Sequence, residues 1–265
     1  MSEVFIVDIR SDIKDLTDKL TRIQKKQIPF ASALAVTRTA EDVRTDLYSN
    51  MLKIFDAPVS YTVPKNIKEP KNKGSLYLIP ADKKQKRFEA EVFVKNISMG
   101  KGTPALNYLN PHIEGGQRRA KGAEVSLRSK GLRGGRFITP STRSPYGHVS
   151  LNRSGNVTKG MMNKVLSGLH SLRGMPSNWE SKQKSTYFAM PKKGGDGYSG
   201  IWKREGANKP RKKGKRGKLT KLFNIVDTPI YKRRFHFYRI AEASAVKHFR
   251  RNFEKSLSHA LATAR

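Results

Sequence analysis

The distribution of charge along the chain constrains its folding more than any single motif. Residues 1–60 hold nine Lys/Arg and nine Asp/Glu, whereas residues 61–265 hold 45 Lys/Arg and 12 Asp/Glu, the source of the whole formal net charge of +33. Repulsion on that scale opposes compact folding unless a polyanion or an acidic neighbour lies against the basic part. The pattern predicts a charge-balanced strand and helical head, residues 1–60, and a basic α+β body, residues 61–265.

The composition narrows the class of protein. With 265 residues, of which 36% are hydrophobic, the chain is able to bury a core. It contains no Cys, which excludes disulfides, thiolate metal sites and a cysteine nucleophile. The first residues lack the basic region of a signal peptide, and no segment approaches the about 18 apolar residues of a membrane span. We expect a soluble protein that is made in a reducing cytoplasm and has no membrane contact.

The head is predicted to consist of one strand and two helices. Residues 4–9 are apolar and largely β-branched apart from Asp8, which predicts a strand. Apolar residues spaced three and four apart after the N-cap candidate Ser11 predict a helix that ends near Pro29, unless this proline opens the next helix. Residues 30–55 predict a second helix with Val36, Val43 and Leu47 on its apolar face.

The body is predicted to be a small, mostly antiparallel sheet with long basic, glycine-rich loops near residues 100–135 and 203–218, followed by a C-terminal helix. The predicted strands are residues 76–79, 88–94, 136–139, 187–190, 200–202 and 219–226. The predicted helices are residues 120–130, 161–172 with Thr158 as N-cap, and 237–262. With helices at both ends of the chain, the fold class is α+β.

No pattern of catalytic residues is present, so we expect neither an enzyme nor a cofactor. The six histidines are scattered, and His112 and Glu114 lack the cysteines of a zinc deaminase. Asp42 and Asp46 lie one helical turn apart and either share a metal or, beside Arg44, form an ordinary charged helix face, which we favour. No glycine-rich segment has the spacing of a nucleotide-binding loop.

The basic stretches predict contact with a polyanion. Residues 209–218 have no apolar residue, and their Pro and Gly prevent a helix while Lys and Arg remain available to phosphates. A solvated loop or a dock for an acidic protein patch is the alternative, and residues 131–136 form either phosphate-binding backbone nests or a plain turn. The nearest aromatics are Trp202 and Phe223, so base stacking is not expected. The predicted contacts are Arg118, Arg119, Lys121, Arg133, Arg136, Lys209, Arg211, Lys212, Lys213, Lys215, Arg216 and Lys218.

The two end helices are candidates for contact with other subunits. Phe249, Phe253 and Leu257 are four residues apart and form one stripe, which packs either in the core or against a neighbouring subunit. The predicted apolar face of the last helix also includes Val246 and Leu261. The residues assigned to a subunit interface are Val36, Val43, Leu47, Phe249, Phe253 and Leu257.

Several segments resemble proteins of bacteriophage particles. The charge-balanced head with the small-residue helix at residues 29–40, the Gly- and Arg/Lys-rich middle and the C-terminal helix resemble the minor tail protein Z and tail-completion proteins of tailed phages. Residues 108–119, which read YLNPHIEGGQRR, and the pair of segments GIWKR at 200–204 and YKRRFHFY at 231–238 are similar to stretches of phage virion proteins.

This resemblance implies an architectural role without a catalytic residue. It implies a six- or twelve-fold homo-oligomeric ring at the neck or tail, in contact with adjacent tail, neck or portal proteins. It also implies a location in the virion after assembly in the host cytoplasm, with viral double-stranded DNA bound without sequence specificity in the channel. The alternative is a free, sequence-independent nucleic-acid-binding protein that acts in genome packaging or as an RNA-associated factor. A nuclease is a weaker third hypothesis, since no convincing pair of metal-binding carboxylates is present.

Overall fold

The computed structural model divides the chain into two compact units. Unit 1 comprises Met1–Gly116 and Lys232–Arg265, and unit 2 comprises Gln117–Tyr231. The boundaries of these units differ from the division at residue 60, which follows the charges along the chain. The structure describes residues 7–9, 22–68, 74–82, 88–97, 102–128, 136–142, 149–171, 185–191, 198–205 and 218–263.

Unit 1 is built on a long antiparallel pair of helices. Helix α1 is Arg22–Ile54, and the C-terminal helix α5 is Phe237–Ala262. Arg38 donates to Ser256 Oγ at 3.2 Å, and Asp46 Oδ2 accepts from Ser244 Oγ at 2.7 Å, so the two helices run in opposite directions. The short helix α2, Ala105–Ile113, also belongs to this unit.

A three-stranded antiparallel sheet completes unit 1. Strand β3, Ala90–Val94, lies between β1, Val7–Ile9, and β2, Leu76–Ile79. Alternate residues of β2 and β3 are buried, as expected when one face of a sheet covers a core. The largest side chains in this core, none with exposed surface, include Leu47, Tyr48, Met51, Leu76, Phe235 and Phe237.

Gly74 allows the chain to pass close to a buried tyrosine. Its φ of +107° lies in the region that favours glycine, and an added Cβ would lie 2.5 Å from Tyr48 Oη and 2.8 Å from Pro64 Cδ. Tyr48 Oη in turn accepts from the Leu76 amide at 3.0 Å. Burial raises the pKa of Tyr48 to about 12, so this hydroxyl is neutral.

Unit 2 has a four-stranded antiparallel sheet of order β5-β8-β7-β6. These strands are β5, Phe137–Pro140, β6, Ser185–Pro191, β7, Tyr198–Glu205, and β8, Leu219–Val226. Two short helices, α3 at Gly122–Arg128 and α4 at Lys159–Gly168, supply Leu127, Val165 and Leu166 to the core. The strands β4, Gly116–Gln117, and β9, Ile230–Tyr231, pair where the chain enters and leaves the unit.

The α+β fold class is confirmed, with helices at both ends and small antiparallel sheets. The predicted strand 219–226 and helix 237–262 match the structure at both ends. Thr158 caps α4 as predicted, since its Oγ1 accepts from the Met161 amide at 3.3 Å. Within the described residues, none of the helices is long and apolar enough to span a bilayer.

The prediction that Pro29 marks a helix boundary is wrong. Pro29 neither ends nor opens a helix, because α1 continues through it. The proline removes one backbone hydrogen bond, and the helix is held by the packing of its whole buried face, which includes Ala31, Ala35 and Val36. The helix predicted at residues 120–130 occurs as Gly122–Arg128, and a further helix, Ala105–Ile113, was not predicted in the stretch near residues 100–135. The helix predicted after Ser11 falls on residues outside the described part.

Candidate polyanion interface

Unit 2 concentrates the positive charge of the chain. It holds 26 Lys/Arg and five Asp/Glu among its 115 residues. Three of those acidic residues are described: Glu124 is fully buried, Glu205 pairs with Lys203 at 2.8 Å, and Asp227 is exposed. Acidic side chains therefore neutralise little of the basic surface that the described residues form.

One buried ion pair connects the first residues of this unit to its sheet. Both Arg118 terminal nitrogens donate to Glu124, at 2.6 and 2.8 Å. The same carboxylate accepts from the amides of Lys121 at 2.7 Å and Ile138 at 3.0 Å, which joins the start of α3 to strand β5. The Arg118 guanidinium also lies 4.6 Å from the centre of the Phe137 ring. A carboxylate with four donors is fully satisfied despite its burial.

The electrostatics of the pair favour its charged form. Burial by itself raises the pKa of Glu124, but the Arg118 hydrogen bonds and the two backbone amides outweigh it and the pKa is lowered. The hydrogen bond to Glu124 raises the pKa of Arg118. The Arg118 side chain is only 10% exposed. The prediction that Arg118 contacts nucleic acid is therefore corrected: its charge is committed to holding unit 2 together.

The four-stranded sheet presents a second face that is both aromatic and basic. Residues opposite each other on antiparallel strands share a face, and the register pairs Trp202 with Phe188 on one side and Lys221 on the other. The Arg204 guanidinium lies 5.2 Å from the Phe188 ring centre, and Lys221 Nζ lies 5.6 Å from the Trp202 ring centre. We call this group the cationic sheet face; it consists of Phe188, Trp202, Arg204 and Lys221.

The geometry of the cationic sheet face suits phosphates better than bases. Cation–π contacts restrain Arg204 and Lys221 while their N–H groups remain able to donate to anions. Trp202 is only 6% exposed and lies beneath Lys221, so an incoming base has little ring surface to stack on. Contacts of this kind recognise the charge and spacing of phosphate groups and carry no sequence specificity.

The other predicted contact residues have different outcomes. Arg119, Lys121 and Lys218 are exposed, as a polyanion contact requires, and Arg136 is half-buried. The remaining predicted contacts lie outside the described residues: Arg133, Lys209, Arg211, Lys212, Lys213, Lys215 and Arg216.

The predicted subunit interface divides in two. Val36, Val43 and Leu47 have no exposed surface and lie in the core of unit 1, so their assignment to an outer interface is corrected. Phe249 and Phe253 stack with ring centres 6.0 Å apart, and both are half-buried, as is Leu257.

The face that α5 turns toward α1 is more polar than its sequence pattern predicts. Asn252 Nδ2 donates to Asp42 Oδ2 at 2.8 Å and to Thr39 Oγ1 at 3.2 Å, and His248 Nε2 lies 3.2 Å from Asp46 Oδ2. These hydrogen bonds turn Val246, 77% exposed, toward solvent, which corrects its place on the apolar face. Leu261, 51% exposed, is corrected likewise.

Asp42 and Asp46 are thus interhelical acceptors, and among the described residues no group of three or more acidic or histidine side chains is placed to hold a metal ion.

A comparison with protein families, with characterised proteins and with solved structures found no match.

Sequence reasoning missed Arg204 and Lys221 because it examined runs of basic residues. The available signal was alternation: Trp202 and Arg204 are two apart, so one strand face carries both. Lys221 lies opposite Trp202 because the strand register shifts after Ile201, and the sequence pattern does not predict that shift.

Proposed function

We propose that this chain is a non-enzymatic structural protein of a tailed phage particle, a ring-forming neck, tail-completion or minor tail component. Its unit 2 contacts the viral DNA in the channel through the cationic sheet face and the exposed residues Arg119, Lys121 and Lys218. Unit 1, with the half-buried Phe253 and Leu257, contacts sister subunits and adjacent tail, neck or portal proteins. The assembled protein is located in the virion.

The observation that carries the DNA-contact part is the excess of 26 basic over five acidic residues in unit 2, together with two cations restrained on one sheet face. A rigid array of cations loses less conformational entropy on meeting phosphates than free lysine side chains do. The placement in a phage particle rests on the resemblance of residues 29–40, 108–119, 200–204 and 231–238 to virion proteins.

Salt-dependent binding to duplex DNA tests the DNA contact. Each phosphate neutralised contributes about −0.9 to the slope of log affinity against log salt. The double substitution Arg204→Gln with Lys221→Gln should reduce the magnitude of that slope by about 1.8. The matched control Lys247→Gln with Arg250→Gln removes two exposed charges from α5 of unit 1 and should leave it unchanged. Equal slopes for both double variants would contradict the role of the cationic sheet face.

Mass spectrometry of purified, nuclease-treated virions tests the placement. We expect the chain at about six or about twelve copies per particle, as a closed ring requires. Its absence from particles, combined with tight DNA binding by the isolated protein, would instead establish the alternative, a free sequence-independent nucleic-acid-binding protein.

A further inference from the structure

The two faces of the four-stranded sheet in unit 2 differ in character. One face covers the core of the unit, to which the strands contribute Ile138, Tyr187, Ile201 and Phe223. Side chains alternate along a strand, and residues paired across strands share a face. The opposite face, which we call the outer face, therefore carries one aromatic ring on each of three strands: Phe137, Phe188 and Trp202.

The outer face holds cations but no carboxylate among the described residues of the four strands. The register places Lys221 and Arg204 on this face. Glu205, the one acidic residue in these described strands, follows Arg204 directly, so its side chain belongs to the other face. The outer positions between these cations and the start of β5, Thr139 and Asn224, are uncharged. The positive charge of the outer face is thus unopposed within the sheet.

A cation also lies over the aromatic ring at the other edge of the sheet. The Arg128 guanidinium lies 6.0 Å from the centre of the Phe137 ring. This ring is held in place by Arg118, whose guanidinium lies 4.6 Å from its centre. Arg128 is the last residue of α3 and is exposed. The carboxylate one turn before it, that of Glu124, is occupied by Arg118 and two backbone amides, so it does not neutralise Arg128.

We propose that Arg128 is a further phosphate contact of unit 2, and that duplex DNA lies across the strands of the sheet, from β6 to β5. This inference rests on the proposed DNA contact and extends it, because the three rings that carry cations lie on three different strands. Three strand-to-strand steps of about 4.8 Å separate the two edges by about 14 Å. That distance corresponds to about four base pairs along a duplex. A guanidinium held on a ring keeps its N–H groups available to phosphate oxygens.

The salt dependence of duplex binding tests the contribution of Arg128. Arg128→Gln should reduce the magnitude of the slope by about 0.9, and its combination with Arg204→Gln and Lys221→Gln should reduce it by about 2.7. The control Lys164→Gln removes an exposed charge from α4, which packs against the core face of the sheet, and should leave the slope unchanged. If Arg128→Gln matches this control while the double variant still loses slope, the inference is overturned and the proposed DNA contact stands. An unchanged slope in the double variant would contradict both.

Site-directed cross-linking follows the path of the DNA without removing a charge. The chain has no Cys, so a single thiol can be placed at a chosen position. Thr139→Cys on β5 and Met190→Cys on β6, both on the outer face, should react with a duplex whose backbone carries an activated disulfide. Asn163→Cys, exposed on α4, should not react. Cross-linking through position 190 but not through position 139 would overturn the path across the strands, even if Arg128→Gln failed to fold.

Discussion

Arg118 in unit 2 and Arg44 in unit 1 are both largely removed from solvent, but they meet opposite surroundings. Arg118 donates to the carboxylate of Glu124, which also accepts hydrogen bonds from two backbone amides, so the buried charges there are mutually satisfied. The Nε atom of Arg44 is buried without a hydrogen-bond partner. Burial alone therefore does not define the role of a charged side chain: a mutually satisfied pair supports the fold, whereas a buried donor without an acceptor costs stability.

The two units can be followed separately in one experiment. Both tryptophans, Trp179 and Trp202, belong to the sequence of unit 2, and the two long helices belong to unit 1. Tryptophan fluorescence therefore reports the unfolding of unit 2, and helical circular dichroism reports mainly that of unit 1.

The largest effect is expected for Glu124→Gln, which breaks the satisfied pair. The substitution leaves Arg118 buried beside a neutral amide, and the amides of Lys121 and Ile138 lose a charged acceptor. Loss of one partner of a buried pair costs about 3–5 kcal/mol. Urea unfolding monitored by tryptophan fluorescence should show that loss. The control Glu205→Gln removes an exposed acceptor of Lys203 and should have little effect; a similar loss for both variants would contradict the structural role of Glu124.

A smaller effect, confined to unit 1, is expected for Gly74→Ala. The methyl group would collide with Tyr48 Oη and Pro64 Cδ, and alanine disfavours the φ of +107°. Strain and overpacking together should cost about 2–4 kcal/mol. Helical circular dichroism in urea measures it. At Gly155, whose φ is +69° but whose Cβ would meet nothing within 4 Å, the same change should cost about 1 kcal/mol by fluorescence. Equal costs at the two glycines would argue against the crowding at Tyr48.

Asn252→Ala should loosen the pairing of α1 with α5. It removes the donor to Asp42 and Thr39 at a position that is 5% exposed. A buried hydrogen bond lost in this way costs about 1–3 kcal/mol. Helical circular dichroism in urea should detect it. The control Glu254→Ala breaks only an exposed pair with Arg250 and should change the stability by about 0.5 kcal/mol at most. A loss as large as that of Asn252→Ala would contradict the special role of the Asn252 hydrogen bonds.

Acid should lower the stability of unit 2 gradually. Folding lowers the pKa of Glu124 below its ordinary value of 4.5, so the unfolded state takes up this proton first as the pH falls. The contribution of Glu124 is therefore complete above the unfolded-state pKa and declines as the pH falls from about 4.5 through the folded-state pKa. Tryptophan-monitored stability of unit 2 should decline in this window, and Glu124→Gln should decline less. Parallel pH profiles for the two proteins would contradict this linkage.

The periodicity of apolar residues explains which elements were predictable. The helix at residues 237–262 and the strand at residues 219–226 have patterns of their own, and both occur as predicted. The prediction at Pro29 was wrong because proline by itself favours the end of a helix. Packing against distant parts of unit 1 overrides that local preference. Val246 misled it because apolar character alone does not reveal that Asn252 and Ser244 are the residues bonded to α1.

Composition and local pattern alone decide the excess of positive charge, its concentration beyond residue 60, and the helices and strands with a clear period. Only the tertiary structure decides which cations are neutralised, which are restrained and which are unsatisfied. Arg118 meets the backbone of Ile138 through Glu124, and Lys221 meets Trp202 across a strand pair with shifted register. These partners are distant in sequence, and their effect on a charge depends on burial and geometry, which no local pattern encodes.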